Sequence, residues 1–172
     1  SLRAQAQIQL EPPTSSNPLP YRVVRPSAFA ALPAPSPGDL FFDFEGDPLH
    51  QENGQWNLDY LFGLVEADET FVAFWAHDLA QEKKALLDFL DDVRARREQH
   101  PDLHIYHYAS YERTHLLQLS ARHGVGELDV ADLLREGVLV DLYPIVRQGV
   151  SIGSPSYSLK KLEPLYMDAA RQ

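Results

Sequence analysis

The sequence predicts an α/β domain: a mixed sheet, in which a three-strand antiparallel meander is continued by parallel strands, flanked by helices. Three observations carry this. Short apolar runs separated by Gly, Asn or Asp crowd the stretch from 39 to 77, the pattern of strands joined by turns. A long stretch with helical periodicity follows, and strand-like and helix-like segments then alternate to the end.

Taken in order, residues 11 to 37 hold most of the prolines, and proline disfavours helix interiors and central strands. This region reads as a linker over residues 1–37 from an upstream domain, with "YRVV" as an extended piece able to join a sheet edge and residues 1 to 10 as a frayed helix end. The domain proper is residues 38–172, and its C-terminus is expected to be truncated. "DLFFDFEGD", "LDYLFGLVEA" and "TFVAFWAHD" are the meander, with "PLHQENGQWN" as a hairpin loop. In "DLAQEKKALLDFLDDVRARREQH", Asp78 caps a helix with Gln81 three positions on, and Leu79, Leu86, Leu90 and Val93 line one face. "LHIYHYAS" is a fourth strand. "YERTHLLQLSARHG" is a second helix with Ser110 as cap and Gly124 as stop, and "VADLLREG" a short third. "VLVDLYPIV" is a strand ending at Asp141, where Pro144 halts extension, and a last helix starts near Ser156 and bends or ends at Pro164.

The 172 residues, 44% of them hydrophobic, suffice for one packed core. Without cysteine there is no disulfide framework and no zinc-thiolate site, and no apolar run reaches the roughly 18 residues of a membrane span. The expected location is cytoplasmic, with no membrane partner. A net charge of -10, from 25 acids and 15 bases, argues against a nucleic-acid module that works through clustered Lys and Arg. Bound divalent cations reverse that local sign.

The carboxylates are the informative feature. Strand alternation turns Leu40, Phe42 and Phe44 to the core and sets Asp43, Glu45 and Asp47 on the opposite face. Like charges about 7 Å apart along a strand in a cleft are unfavourable unless a cation sits between them. A hard divalent ion, Mg²⁺ or Mn²⁺, takes oxygen ligands of this kind. A D-x-E alone is also how a strand runs into an acidic turn, so further acids are needed. Glu112, in the first turn of a helix after "HIYHY", and Asp141, at the end of "VLV", lie just beyond other strands, where open α/β folds gather ligands.

At "FFDFEGDP", "IYHYASYERTHLL" and "VDLYPIVRQGVSIGSPSYSLKKLEPLY" the chain resembles the ribonuclease H-like nuclease domain of the DEDD exonuclease type, specifically the YprB-like domain of predicted RecB-family nucleases. The likeness spans residues 36 to 167, three blocks in order. It implies a ribonuclease H-like mixed sheet, Asp43 and Glu45 as first-motif metal ligands, and Glu112 where such enzymes carry Asp. It also implies an upstream RecB-like nuclease domain in the parent chain and single-stranded DNA or RNA as partner. Family members place a fourth acid on a later helix after a Tyr or His; Asp168 follows Tyr166 by two residues, the wrong helical spacing for that role.

The resulting expectation is a divalent-metal nuclease acting from a 3' end on single strands. Asp43, Glu45 and Glu112 serve as catalytic acids, and the same three with Asp141 as metal ligands. Tyr108 and Tyr111 could stack on a base or simply pack. Lys160, beside Lys161 and with Arg147 upstream, could contact phosphate or face solvent. Glu112 and His115 form an E-x-x-H pair, but the single copy lacks the four-helix bundle of a di-iron site. Two rival readings are a non-catalytic docking module beside a separate nuclease, and a metal-dependent phosphohydrolase of small nucleotides.

Overall fold

A computed structural model describes residues 2–14 and 17–167. In chain order the elements are α1 (Leu2–Gln9), β1 (Tyr21–Val23), a 3-10 helix (Pro26–Ala31), β2 (Leu40–Glu52), β3 (Gln55–Glu66) and β4 (Phe71–Trp75). There follow α2 (Leu79–Gln99), β5 (Ile105–His107), α3 (Tyr111–His123), α4 (Glu127–Arg135), β6 (Leu139–Asp141), α5 (Leu142–Gly149), β7 (Val150–Ile152), α6 (Leu159–Leu162) and a closing 3-10 turn (Glu163–Leu165). Two compact units result, Pro33–Asp141 and the pair of segments Ser1–Leu32 and Leu142–Gln172.

The unit Pro33–Asp141 contains a five-stranded mixed sheet in the order β4-β3-β2-β5-β6. The expected meander is present: β2 pairs antiparallel with β3 and β3 with β4, while β5 lies parallel to both β2 and β6. Leu40, Phe42 and Phe44 point into the core as alternation requires. Phe42 stacks on Phe89 of α2 with centroids 4.7 Å apart, Phe44 meets Phe62 edge-on at 4.6 Å, and Leu116 and Leu119 of α3 close the same cluster. Each fully buried side chain of this size contributes about 2–3 kcal/mol of burial, so this layer anchors the strand that carries Asp43 and Glu45.

Local signals set the ends of the helices. The Asp78 carboxylate accepts from the Gln81 N–H at 2.7 Å, capping α2, and Gly124 stops α3 at φ 60° in the left-handed region. Ser110 occupies the cap position of α3 without a side-chain capping bond. The stretch "PLHQENGQWN" is strand rather than loop. Pro48 to His50 fall in a register shift between Asp47 and Gln51, which lets a proline sit in a strand. Pairing then resumes at Gln51 with Trp56, up to a two-residue turn at Asn53 and Gly54 with φ of 50° and 78°, the primed geometry that suits hairpins. Helix α4 begins at Glu127, three residues ahead of the expected start, behind Gly126 at φ 68°.

In the other unit, β1 pairs antiparallel with β7, Tyr21 opposite Ile152. The Gln5 amide of α1 donates to the Ile152 carbonyl at 2.9 Å, and Ile8 is fully buried. The proline-rich stretch is therefore not featureless: it carries β1, in the "YRVV" piece, and the 3-10 helix. Asp168 lies outside the described residues.

Candidate active site

Strand β2 sets Asp43 and Glu45 on the face away from Phe42 and Phe44. After β5 the chain makes a tight turn in which Ala109 adopts φ 71°, costly for a residue with a Cβ unless its surroundings hold it. Two side chains do so. His107, buried at the end of β5, has Nδ1 2.7 Å from the Ala109 carbonyl; a carbonyl only accepts, so Nδ1 carries the proton and donates. Asp141, paired in register with His107, accepts the Ala109 N–H through Oδ1 at 2.8 Å. The turn launches α3 with Tyr111 and Glu112 in its first turn.

Glu112 is buried, and it meets Asp43. The two carboxyls are close enough to share a hydrogen bond, which requires a proton on one of them. Although Asp43 keeps a side to solvent, desolvation of its carboxyl, then the Glu112 charge and that shared bond, then the Glu45 charge, push it up to about 6. Glu112 Oε2 is buried with no hydrogen-bond partner, 3.2 Å from His107 Nδ1, whose proton is directed to Ala109. The structure thus gathers Asp43, Glu45 and Glu112. Asp47, beyond the bulge, turns its Oδ1 to the Leu49 N–H at 2.9 Å. Asp141, expected as a metal ligand, spends Oδ1 on the turn.

Tyr111 stands beside these acids. Its phenol is pushed up to about 12, by burial first and then by the charges of Asp59, Glu112, Glu45 and Asp43. One face of its ring lies on His115, centroids 3.8 Å apart and 23° from parallel, so on that face a base cannot stack. His115 Nδ1 is 2.7 Å from Asp59 Oδ2, and the Asp59 carboxyl is itself raised, by burial above all. Tyr108 is half-buried. Lys160 and Lys161 are exposed on α6 in the other unit, where the Arg147 guanidinium lies 5.6 Å from the Tyr157 ring centroid.

Asp59 is the residue that strand alternation misplaces. Simple alternation groups it with Leu61, Gly63 and Val65 on the face of Asp43. The register instead jumps from Glu45 opposite Leu61 to Gly46 opposite Asp59, leaving Tyr60 as an extra residue. Such a bulge re-aims a side chain, and Asp59 ends 1% exposed against α3. An acid within a run of buried strand residues was the one available signal.

Among the described residues no group of three or more His, Asp or Glu side chains is arranged to hold a metal ion. The donor set still fits a hard cation in a simpler way. Asp43 and Glu112 offer paired carboxylate oxygens, one oxygen of Glu112 is buried and unpartnered, and Glu45 adds charge. Mg²⁺ is commonly held by one or two carboxylates, the remaining positions going to water and substrate phosphate.

Comparison with known families agrees with this architecture. Residues 40–171 match the RNase_H_2 model, described as RNase_H superfamily. No curated protein and no solved structure matches the chain. Among the described residues no helix is long and apolar enough to cross a membrane. With more than half of its length matched and a mixed sheet flanked by helices, the chain belongs to the RNase H superfamily, whose members are generally metal-dependent nucleases.

Proposed function

We propose that the chain is a divalent-metal-dependent nuclease domain that hydrolyses phosphodiester bonds, acting as a 3'-5' exonuclease on single-stranded DNA or RNA. The observation that carries this reading is the pairing of Asp43 with Glu112 beside Glu45, an arrangement that raises the Asp43 carboxyl and leaves a buried Glu112 oxygen without a donor. Such a gathering of acids is unfavourable by itself. It is rationalised by a Mg²⁺ or Mn²⁺ ion.

Asp43, Glu45 and Glu112 would hold that ion. When bound, it would neutralise charge on the phosphate and lower the pKa of a water. The protein's own part is to hold the oxygens. Strand β2 fixes two of them through the Phe42 and Phe44 anchors, and the Ala109 turn, tied by His107 and Asp141, fixes the third. The likeness of "FFDFEGDP" and the two later blocks to YprB-like domains of predicted RecB-family nucleases supports an origin beside a RecB-like nuclease domain.

A second reading, a non-catalytic docking module, is favoured by one observation: the three acids are not arranged as a ready metal group. Incubation of 5'-labelled single strands with Mn²⁺ separates the two. The nuclease reading expects stepwise shortening that a chelator and Asp43→Asn both abolish. Binding without shortening, in wild type and variant alike, would favour the docking module, and hydrolysis of free nucleotides alone a small-molecule phosphohydrolase.

A further inference from the structure

We propose that Tyr111 works through its hydroxyl, as a hydrogen-bond donor to the substrate phosphate, and that Asp59 and His115 are positioning residues that hold it there. This rests on the nuclease reading and adds a donor to a site otherwise built of acceptors.

Four features converge on that hydroxyl. Tyr111 and His115 are four residues apart on α3 and therefore share a face, and their rings stack at 3.8 Å. His115 is held in turn by Asp59, which the bulge at Tyr60 carries under α3 and which accepts from Nδ1 at 2.7 Å. Gly46 leaves room. A Cβ there would meet Asp59 Oδ1 at 2.7 Å and the Tyr111 hydroxyl at 3.1 Å, so the hydroxyl lies against β2 one residue past Glu45. Finally, Tyr111 is 40% exposed while Asp59 is 1% exposed: the ring is fixed from beneath and its outer side meets solvent.

The chemistry assigns the role. Carboxylates only accept hydrogen bonds, whereas the non-bridging oxygens of a phosphodiester need donors. The phenol O–H, lying against β2 one residue past Glu45, meets that need. It moves no proton to or from the substrate; it orients the phosphate and strengthens as charge develops on its oxygens.

Tyr111→Phe tests this, because it keeps the ring and its stack and deletes only the oxygen. With Mn²⁺ and a labelled single strand, the expected result is a kcat lower by about tenfold to a hundredfold, the worth of one hydrogen bond to a charged group. KM should stay within about twofold, and the Mn²⁺-dependent rise in melting temperature should be retained. Asp59→Asn and His115→Gln should each lower kcat in the wild-type background and cost nothing further in the Tyr111→Phe background. A merely structural role would lower both backgrounds equally, and that result overturns the positioning assignment. Full kcat in Tyr111→Phe, with Asp43→Asn inactive, overturns the donor role and leaves the nuclease reading standing. Wild type that neither binds Mn²⁺ nor cleaves sinks both.

Discussion

Glu82 and Glu112 are both buried glutamates in the first turn of a helix, yet the chain treats them in opposite ways. Glu82 is surrounded by donors: the Asp59 N–H at 2.7 Å, both Glu82 oxygens near Arg122 Nη1 at 3.1 and 3.0 Å, and His123 Nε2 at 2.6 Å. Glu112 meets another acid and keeps one oxygen unpartnered. A buried charge with a full set of partners ties α2, α3 and β3 together, and a buried charge facing its like stores repulsion that a ligand can relieve. On the nuclease reading proposed above, the difference separates an acid kept for the fold from one kept for chemistry.

The sharpest way to break that contrast is Glu82→Ala. It strands a guanidinium, an imidazole and a backbone N–H in the interior, and should lower stability by about 3–5 kcal/mol in urea unfolding. A loss under about 1 kcal/mol would mean that the Glu82 network carries little. Gly46→Ala comes next. Its Cβ has no room beside Asp59 and Tyr111, and overpacking of this kind costs about 1–3 kcal/mol, read as a lower melting temperature together with a changed Tyr111 environment in near-ultraviolet circular dichroism.

Asp43→Asn should act with the opposite sign. In metal-free buffer it relieves the repulsion with Glu112 and Glu45, and with solvent screening allowed for, the gain is about 1 kcal/mol. The same acid predicts a pH dependence. A carboxyl whose folded value is raised to about 6 favours the folded state at pH values below its ordinary range, and this contribution is lost as pH rises through 6. The melting-temperature advantage of Asp43→Asn over wild type should therefore be full at neutral pH and shrink toward zero by about pH 4. An advantage that grows on acidification would contradict the shift.

Much of the fold and part of the candidate site were legible in the sequence, whereas the Glu82 network and the rest were hidden for physical reasons. Period-two alternation sufficed for Asp43 and Glu45, because β2 is regular up to Glu45. The Asp78 cap and the Gly124 stop are local signals and bound α2 and α3 as expected. Asp59 escaped because the extra residue at Tyr60 inverts alternation, and a bulge leaves no mark in hydrophobic pattern. Asp141 was expected at the strand end where it lies, but its bond to Ala109 depends on a left-handed alanine that composition does not announce. The "PLHQENGQWN" stretch read as loop because Pro48 and Asn53-Gly54 are turn residues; only the last two make the turn.

The proposed nuclease activity requires that Asp43, Glu45 and Glu112 take up a doubly charged cation. Calorimetric titration of Mn²⁺ into the protein at neutral pH tests this most directly. The expected result is saturable uptake that is lost in Asp43→Asn and weakens as pH falls through 6, where protons compete for the same oxygens. Uptake of equal strength in wild type and Asp43→Asn, or none in either, would contradict it.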